Sequence, residues 1–231
     1  MSTKPVILIF GSGPNIGHHV ARAFASKGYR VALTSRKPTQ ETQDTADQVH
    51  IQSDLSDPES VVGVFAKVKE VLGIPSVVVY NAAAATPNNP QNPFSLSQAD
   101  FTRDLAINTT SPFVAAQQAA LGFEALANEE SASKTFIYTG NILSTGVTIP
   151  GLLTLGVGKS ATAHVVQSAA GAFEGKGFKF YYADQRTADG AAIYNDIDGE
   201  AHAELFLELA AGKEQGPWLQ TFVKGVGYTS F

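Results

Sequence analysis

Short runs of consecutive apolar residues alternate along the chain with longer stretches in which apolar residues recur three and four apart. The first run, Val6-Ile7-Leu8-Ile9-Phe10, is β-branched or aromatic apart from Leu8 and predicts a strand buried on both faces of a parallel sheet. A glycine-rich turn follows. Val20, Ala21, Ala23, Phe24 and Ala25 then form a helical stripe, which Lys27-Gly28 closes with a cation and a C-cap glycine. Residues 30–34 predict a second strand and complete a βαβ unit. Residues 39–48 carry no apolar period and predict a loop or short exposed helix before a third strand at 49–53. Asp57 ahead of Pro58 and Glu59 marks a helix start, and Val61, Val64, Phe65, Val68 and Val71-Leu72 carry that helix to Gly73.

Residues 75–80 predict the fourth strand. The stretch 85–97 holds three prolines and three asparagines and reads as a flap rather than a domain linker. Ser97, with Asp100 three residues on, caps a long helix carrying Phe101, Leu105, Ile107, Phe113 and Val114. The polar run Asn108-Thr109-Thr110-Ser111, ending in Pro112, predicts a distortion near its middle. Further strands are expected at 134–139, 178–182 and 218–223, with a substrate-side loop at 184–199 and a helix at 201–209 stopping at Gly212. Strands alternating with helices predict an α/β fold with a doubly wound parallel sheet, in a single domain spanning 1–231.

The bulk numbers narrow the function. A net charge of −5 and the lack of any basic run argue against a nucleic-acid partner. The absence of cysteine removes disulfides, thiolate chemistry and thiolate metal sites, and no metal is expected. No apolar run approaches membrane-spanning length, and the first residues lead straight into a strand without a signal-peptide pattern. A cytoplasmic protein with no membrane partner is expected.

The turn Gly11-Ser12-Gly13-Pro14-Asn15-Ile16-Gly17 carries the chemistry. A tight turn that points the first N–H groups of a helix outward forms a seat for an anionic pyrophosphate. Gly11 permits the bend and Gly17 lets helix and strand backbones approach. Such glycines by themselves are turn punctuation; between a strand and a helix, in this order, they read as a dinucleotide site.

These residues resemble the first turn of the short-chain dehydrogenase/reductase family, with Phe10 for its usual threonine and Asn15 for its middle glycine. Asn suits a place where a positive φ is wanted, because it tolerates the left-handed region. The resemblance implies a Rossmann-like fold, cofactor contacts from Gly11, Ser12, Gly13, Asn15, Ile16 and Gly17, and a homo-dimer or homo-tetramer. It also implies adenine contacts from Asp54-Leu55, ribose contacts from Asn81-Ala82-Ala83, and a water of the proton relay held at Asn108. After the second strand stand Ser35, Arg36 and Lys37 with no carboxylate. A free ribose 2′-hydroxyl is usually met by a carboxylate and a 2′-phosphate by arginine, so NADP(H) is favoured over NAD(H), the alternative being a solvated basic loop.

The family's active site is a serine at the end of the fifth strand and Tyr-x-x-x-Lys on the next helix. Lys159 matches the lysine, implying a contact to the ribose hydroxyls, but Leu155 stands where the tyrosine belongs. Residues i and i+4 share a helix face, where an ammonium lowers a phenol's pKa; leucine has no proton to exchange. Thr139-Gly140-Asn141 occupies the serine's place, so Asn141, and Ser144 nearby, are candidates either to meet a carbonyl or to make a turn. Tyr181, Tyr182, His164 and Asp184 are the other candidate acids, and Asp184-Gln185-Arg186 stands where the family has Pro-Gly. Two functions remain open: an NADP(H)-dependent oxidoreductase acting on a small-molecule carbonyl or hydroxyl with an atypical site, or a catalytically inactive or non-redox nucleotide-binding protein such as a cofactor sensor or partner subunit.

Overall fold

The computed structural model describes residues 4–37 and 44–231, so the first half of the loop expected at 39–48, residues 39–43, lies outside the described residues. Strand β1 (Val6–Phe10) leads through helix α1 (Ile16–Ser26) to β2 (Arg30–Ser35), and β3 (Gln48–Gln52) is followed by α2 (Glu59–Val71) and β4 (Val77–Tyr80). Then come α3 (Gln98–Leu105), α4 (Ser111–Ala125), β5 (Thr135–Thr139), α5 (Leu153–Ala172), β6 (Lys179–Arg186), α6 (Gly199–Ala211), β7 (Leu219–Val223) and β8 (Gly227–Tyr228). The strand order is β3-β2-β1-β4-β5-β6-β7-β8, parallel as far as β7, with β8 antiparallel to it. The order reverses between β1 and β4, and a crevice opens there at the carboxyl ends of the strands.

Each sheet face has its own core. Alternate residues Ile7, Ile9, Val79, Ile137 and Tyr181 pack against α1 and α6, whereas Phe10, Tyr80, Tyr138 and Tyr182 face α2, α4 and α5. The parallel register sets those four rings side by side, with centroid separations of 5.7, 5.8 and 5.5 Å along the row. Each such contact is worth about 0.5–1.5 kcal/mol beyond area burial. Buried Lys179 has its ammonium on the Leu209 and Ala210 carbonyls at 3.1 Å, at the negative end of α6.

Two sequence expectations change in detail, and a third holds. The long helix from Ser97 is broken into α3 and α4 by a π-helical turn, Ala106–Thr110, at the polar run expected to distort it. Close packing accompanies the widened turn: a Cβ on Gly158 of α5 would lie 2.3 Å from the Asn108 Cβ. The substrate-side loop begins at 187 rather than 184, because Asp184, Gln185 and Arg186 continue β6 and pair with Thr221, Phe222 and Val223 of β7. Asp57 does start α2, accepting from Glu59 N at 3.1 Å.

Candidate nucleotide site and the polar cluster beside it

The crevice at the strand ends is a cavity of about 880 Å³ running from Gly11, Ser12 and Gly13 past Ser35 and Arg36 to Asp54, Asn81 and Thr86. Its floor is pinned from both sides. Gly11 N and Ser12 N donate to the Thr34 carbonyl at 3.1 and 3.0 Å, and Asn81 Nδ2 donates to the Gly11 carbonyl at 2.9 Å. Gly11 has φ +91°, and a Cβ there would stand 2.7 Å from Ala82 N; one on Gly17 would stand 2.6 Å from the Gly11 carbonyl. No atom lies within 4 Å of a Cβ on Gly13, so that position faces open space. Ile16 is the first residue of α1, with its side chain in the core between α1 and α6, leaving only its backbone for a ligand.

Asn15 corrects an expectation. Its φ is −95°, so no left-handed conformation calls for it. Its amide instead donates to the Ile197 carbonyl at 2.8 Å, tying the glycine turn to the loop after β6.

At the end of β2, Ser35 Oγ gives its proton to the Lys37 carbonyl and lies 2.8 Å from His50 Nε2, which makes that imidazole nitrogen the donor. Arg36 and Lys37 are exposed at the rim, and residues 35–37 carry no carboxylate. Asp54 Oδ1 accepts from the Ser56 amide and hydroxyl at 3.0 and 2.8 Å. These bonds, with the Arg36 charge, hold its carboxyl below the usual carboxylate range. Leu55 and Ala82-Ala83 complete this wall. Thr34 also lines the cavity, and its buried hydroxyl has no partner among the described residues. Open space at Gly13, cations at the β2 end and an orphaned hydroxyl fit the adenosine phosphate half of a dinucleotide.

Beside the cavity, α5 carries a second polar cluster. Lys159 is buried; its Nζ donates to the Thr139 carbonyl at 2.7 Å and stands 4.4 Å from the Tyr138 ring centroid. Burial pulls the amine down to about 7, opposed by the charge of Asp184. Asn108 uses its whole amide on Ala84: Nδ2 donates to Ala84 O at 2.7 Å and Oδ1 accepts from Ala84 N at 2.9 Å. Its carbonyl accepts from Thr162 Oγ1 at 2.6 Å and Tyr138 Oη at 3.2 Å. Asn141 Oδ1 accepts from Leu143 N, which is turn chemistry, while its backbone brackets Tyr182 Oη at 3.0 and 3.1 Å. Ser144 Oγ donates back to the Asn141 carbonyl at 3.2 Å. Leu155 is half-buried, and none of Lys159, Asn141 or Leu155 lines the cavity.

The remaining candidates separate. His164 is exposed, and Tyr181 Oη donates to the Glu214 carbonyl at 3.3 Å on the α1–α6 side of the sheet. Asp184 pairs with Arg186 at 2.6 Å, both buried; burial raises the carboxyl and the guanidinium opposes the rise. Arg186 Nη1 also donates to the Gly190 carbonyl at 2.9 Å, and Gln185 Oε1 accepts from Asp198 N at 2.9 Å. Side chains where the family has Pro-Gly thus fasten both ends of the loop. Sequence reasoning missed Asp104, buried at the cavity's far end, which accepts from Thr86 N at 2.6 Å and Thr154 Oγ1 at 2.8 Å. Burial raises its carboxyl, but these bonds and Arg103 outweigh that, and the net direction is down. The adjacent Arg103 was its one signal in the sequence.

A family profile described as Enoyl-(Acyl carrier protein) reductase matches residues 11–183. A protein described as Short chain dehydrogenase/reductase dmxR12, from Cryptosporiopsis sp. (strain 8999), is 48% identical over 240 residues, covering 99% of this chain and 96% of its own. Among solved structures, NADH-dependent reductase A1-R′ complexed with NAD superposes with a TM-score of 0.80 at 18% identity, over 96% of each chain. A metagenomic short-chain oxidoreductase in complex with NADP gives 0.79 at 16% identity, over 97% of this chain and 99% of its own. At those identities the two structures speak to the fold alone.

Proposed function

The chain belongs to the short-chain dehydrogenase/reductase family, and on that premise we propose that it is an NADP(H)-dependent oxidoreductase interconverting a carbonyl and a hydroxyl on a small molecule. The observation that carries this reading is the end of β2, where Ser35, Arg36 and Lys37 stand on a nucleotide-sized cavity and bring no carboxylate of their own, Asp54 coming from the end of β3. Arginine's planar fork donates two parallel charge-assisted bonds and so suits a 2′-phosphate. The Gly11 turn and the start of α1 would hold the pyrophosphate, Asp54-Leu55 the adenine, and Asn81-Ala82-Ala83 the ribose. When bound, the nicotinamide supplies or accepts the hydride.

The proton is handled without tyrosine. Leu155 cannot exchange one, and Lys159, held near neutrality at about 7, is the titratable group on that part of α5. Asn108 and Asn141 order the backbone around it. A cytoplasmic location and a homo-dimer or homo-tetramer belong to the same proposal; Phe113 and Leu121, exposed on α4, support an interface. No described helix is long and apolar enough to cross a membrane.

A second reading, nucleotide binding without turnover, is favoured by the commitment of Lys159 Nζ to the Thr139 carbonyl and by the two hydroxyls on Asn108 O. Fluorescence titration with NADPH and NADH, followed by a carbonyl-reduction panel, separates the two. Turnover that is lost in Lys159→Ala supports the oxidoreductase. Tight NADPH binding with no turnover on any carbonyl selects the second reading.

A further inference from the structure

A second cavity of about 690 Å³ lies apart from the nucleotide site, between the flap, the loop joining β5 to α5, and the first turns of α5. Leu143, buried, is part of its lining; Val147, Ile149, Leu152 and Val157 are others, and none of its lining residues is charged. The walls are braced from within. Buried Asn88 of the flap donates its N–H to the Gly151 carbonyl at 3.1 Å, and its Oδ1 accepts from Leu153 N at 3.0 Å. Ser160 Oγ donates to the Leu143 carbonyl at 2.9 Å, fastening the loop to α5. Two of the polar lining side chains are therefore engaged inside the protein. Thr148, exposed at the rim, has no hydrogen bond among the described residues.

We propose that this cavity is a binding site for an uncharged, largely apolar small molecule carrying at most one or two polar groups, with Thr148 meeting one of them. Three walls enclose it, its volume falls in the range of about 300–1,000 Å³ typical of small-ligand pockets, and its bracing makes it pre-formed. A charged ligand would lose its hydration there without gaining a partner. The flap connects the two cavities, since Thr86 lines the nucleotide site and Asn88 this one. The inference does not depend on the nucleotide reading.

The test uses the whole chain with Nile red, a neutral apolar dye, and with the anionic dye 8-anilinonaphthalene-1-sulfonate. Nile red should bind saturably, one per chain, with a blue-shifted emission, and the sulfonate at least about tenfold more weakly. No atom stands within 4 Å of a Cβ on Gly156, so Gly156→Phe should place its ring in the cavity without disturbing α5. It should weaken Nile red at least about tenfold, as should Val147→Lys at the exposed rim, while NADPH titration is unchanged in both. Non-saturable dye binding, equal dye binding by the variants, or loss of the dye signal as the protein self-associates would overturn the proposal, the last by assigning the cavity to a second copy. Failure of NADPH to bind the native chain would count against the nucleotide reading alone.

Discussion

The ammonium of Lys159 is tied to the carbonyl of Thr139 at 2.7 Å, inside the protein rather than in the lining of the cavity at the strand ends. The amine that the family resemblance would turn toward a ribose is here a buried base held near neutrality.

Stability should carry the mark of that amine. Its folded pKa of about 7 lies below the ordinary 10.5, so between those values the unfolded chain binds more protons and stability rises with pH. The slope from this one group approaches about 1.4 kcal/mol per pH unit. Lys159→Met should flatten the rise in Tm between pH 7 and pH 9 relative to the native chain. Parallel curves would show that the amine does not titrate in that window.

Cofactor choice should turn on Arg36. Arg36→Ala should weaken NADPH by about tenfold or more, the loss of a charge-assisted phosphate contact, and NADH by less than about twofold. Equal losses measured by fluorescence titration would sink the 2′-phosphate assignment.

The first turn contains glycines of two kinds. Gly11→Ala forces a side chain into a positive φ and onto Ala82 N, and should cost about 1–3 kcal/mol in urea unfolding. Gly13→Ala meets no atom within 4 Å and should leave stability within about 0.5 kcal/mol, while weakening nucleotide binding by crowding the open side of the turn. A Gly13→Ala chain that binds NADPH as the native does would remove Gly13 from the site.

The Asp184–Arg186 pair predicts an asymmetry between breaking and replacing it. Arg186→Ala leaves a buried carboxylate unpaired and should cost about 3–5 kcal/mol, and hydrogen exchange in the loop from 187 should rise as Gly190 loses its donor. Asp184→Leu combined with Arg186→Met should recover most of the stability but not the loop's protection. Recovery of both would mean that the loop is held by other contacts.

The sequence by itself determined the order and type of the main elements, the glycine turn on β1, the cationic end of β2 and the leucine four residues before Lys159. These are legible because strand runs, helical periods and turn residues act within a few positions of one another. Asn15 on Ile197, Asp104 between Thr86 and Thr154, and Lys159 on Thr139 were decided only by the tertiary structure. So was the extension of β6 through Asp184, Gln185 and Arg186, whose polar side chains read as loop until β7 lay alongside them. Each joins residues that are distant in the chain, and what brings them together is the parallel register and the packing of α5 and α6 on the sheet, which no local pattern encodes.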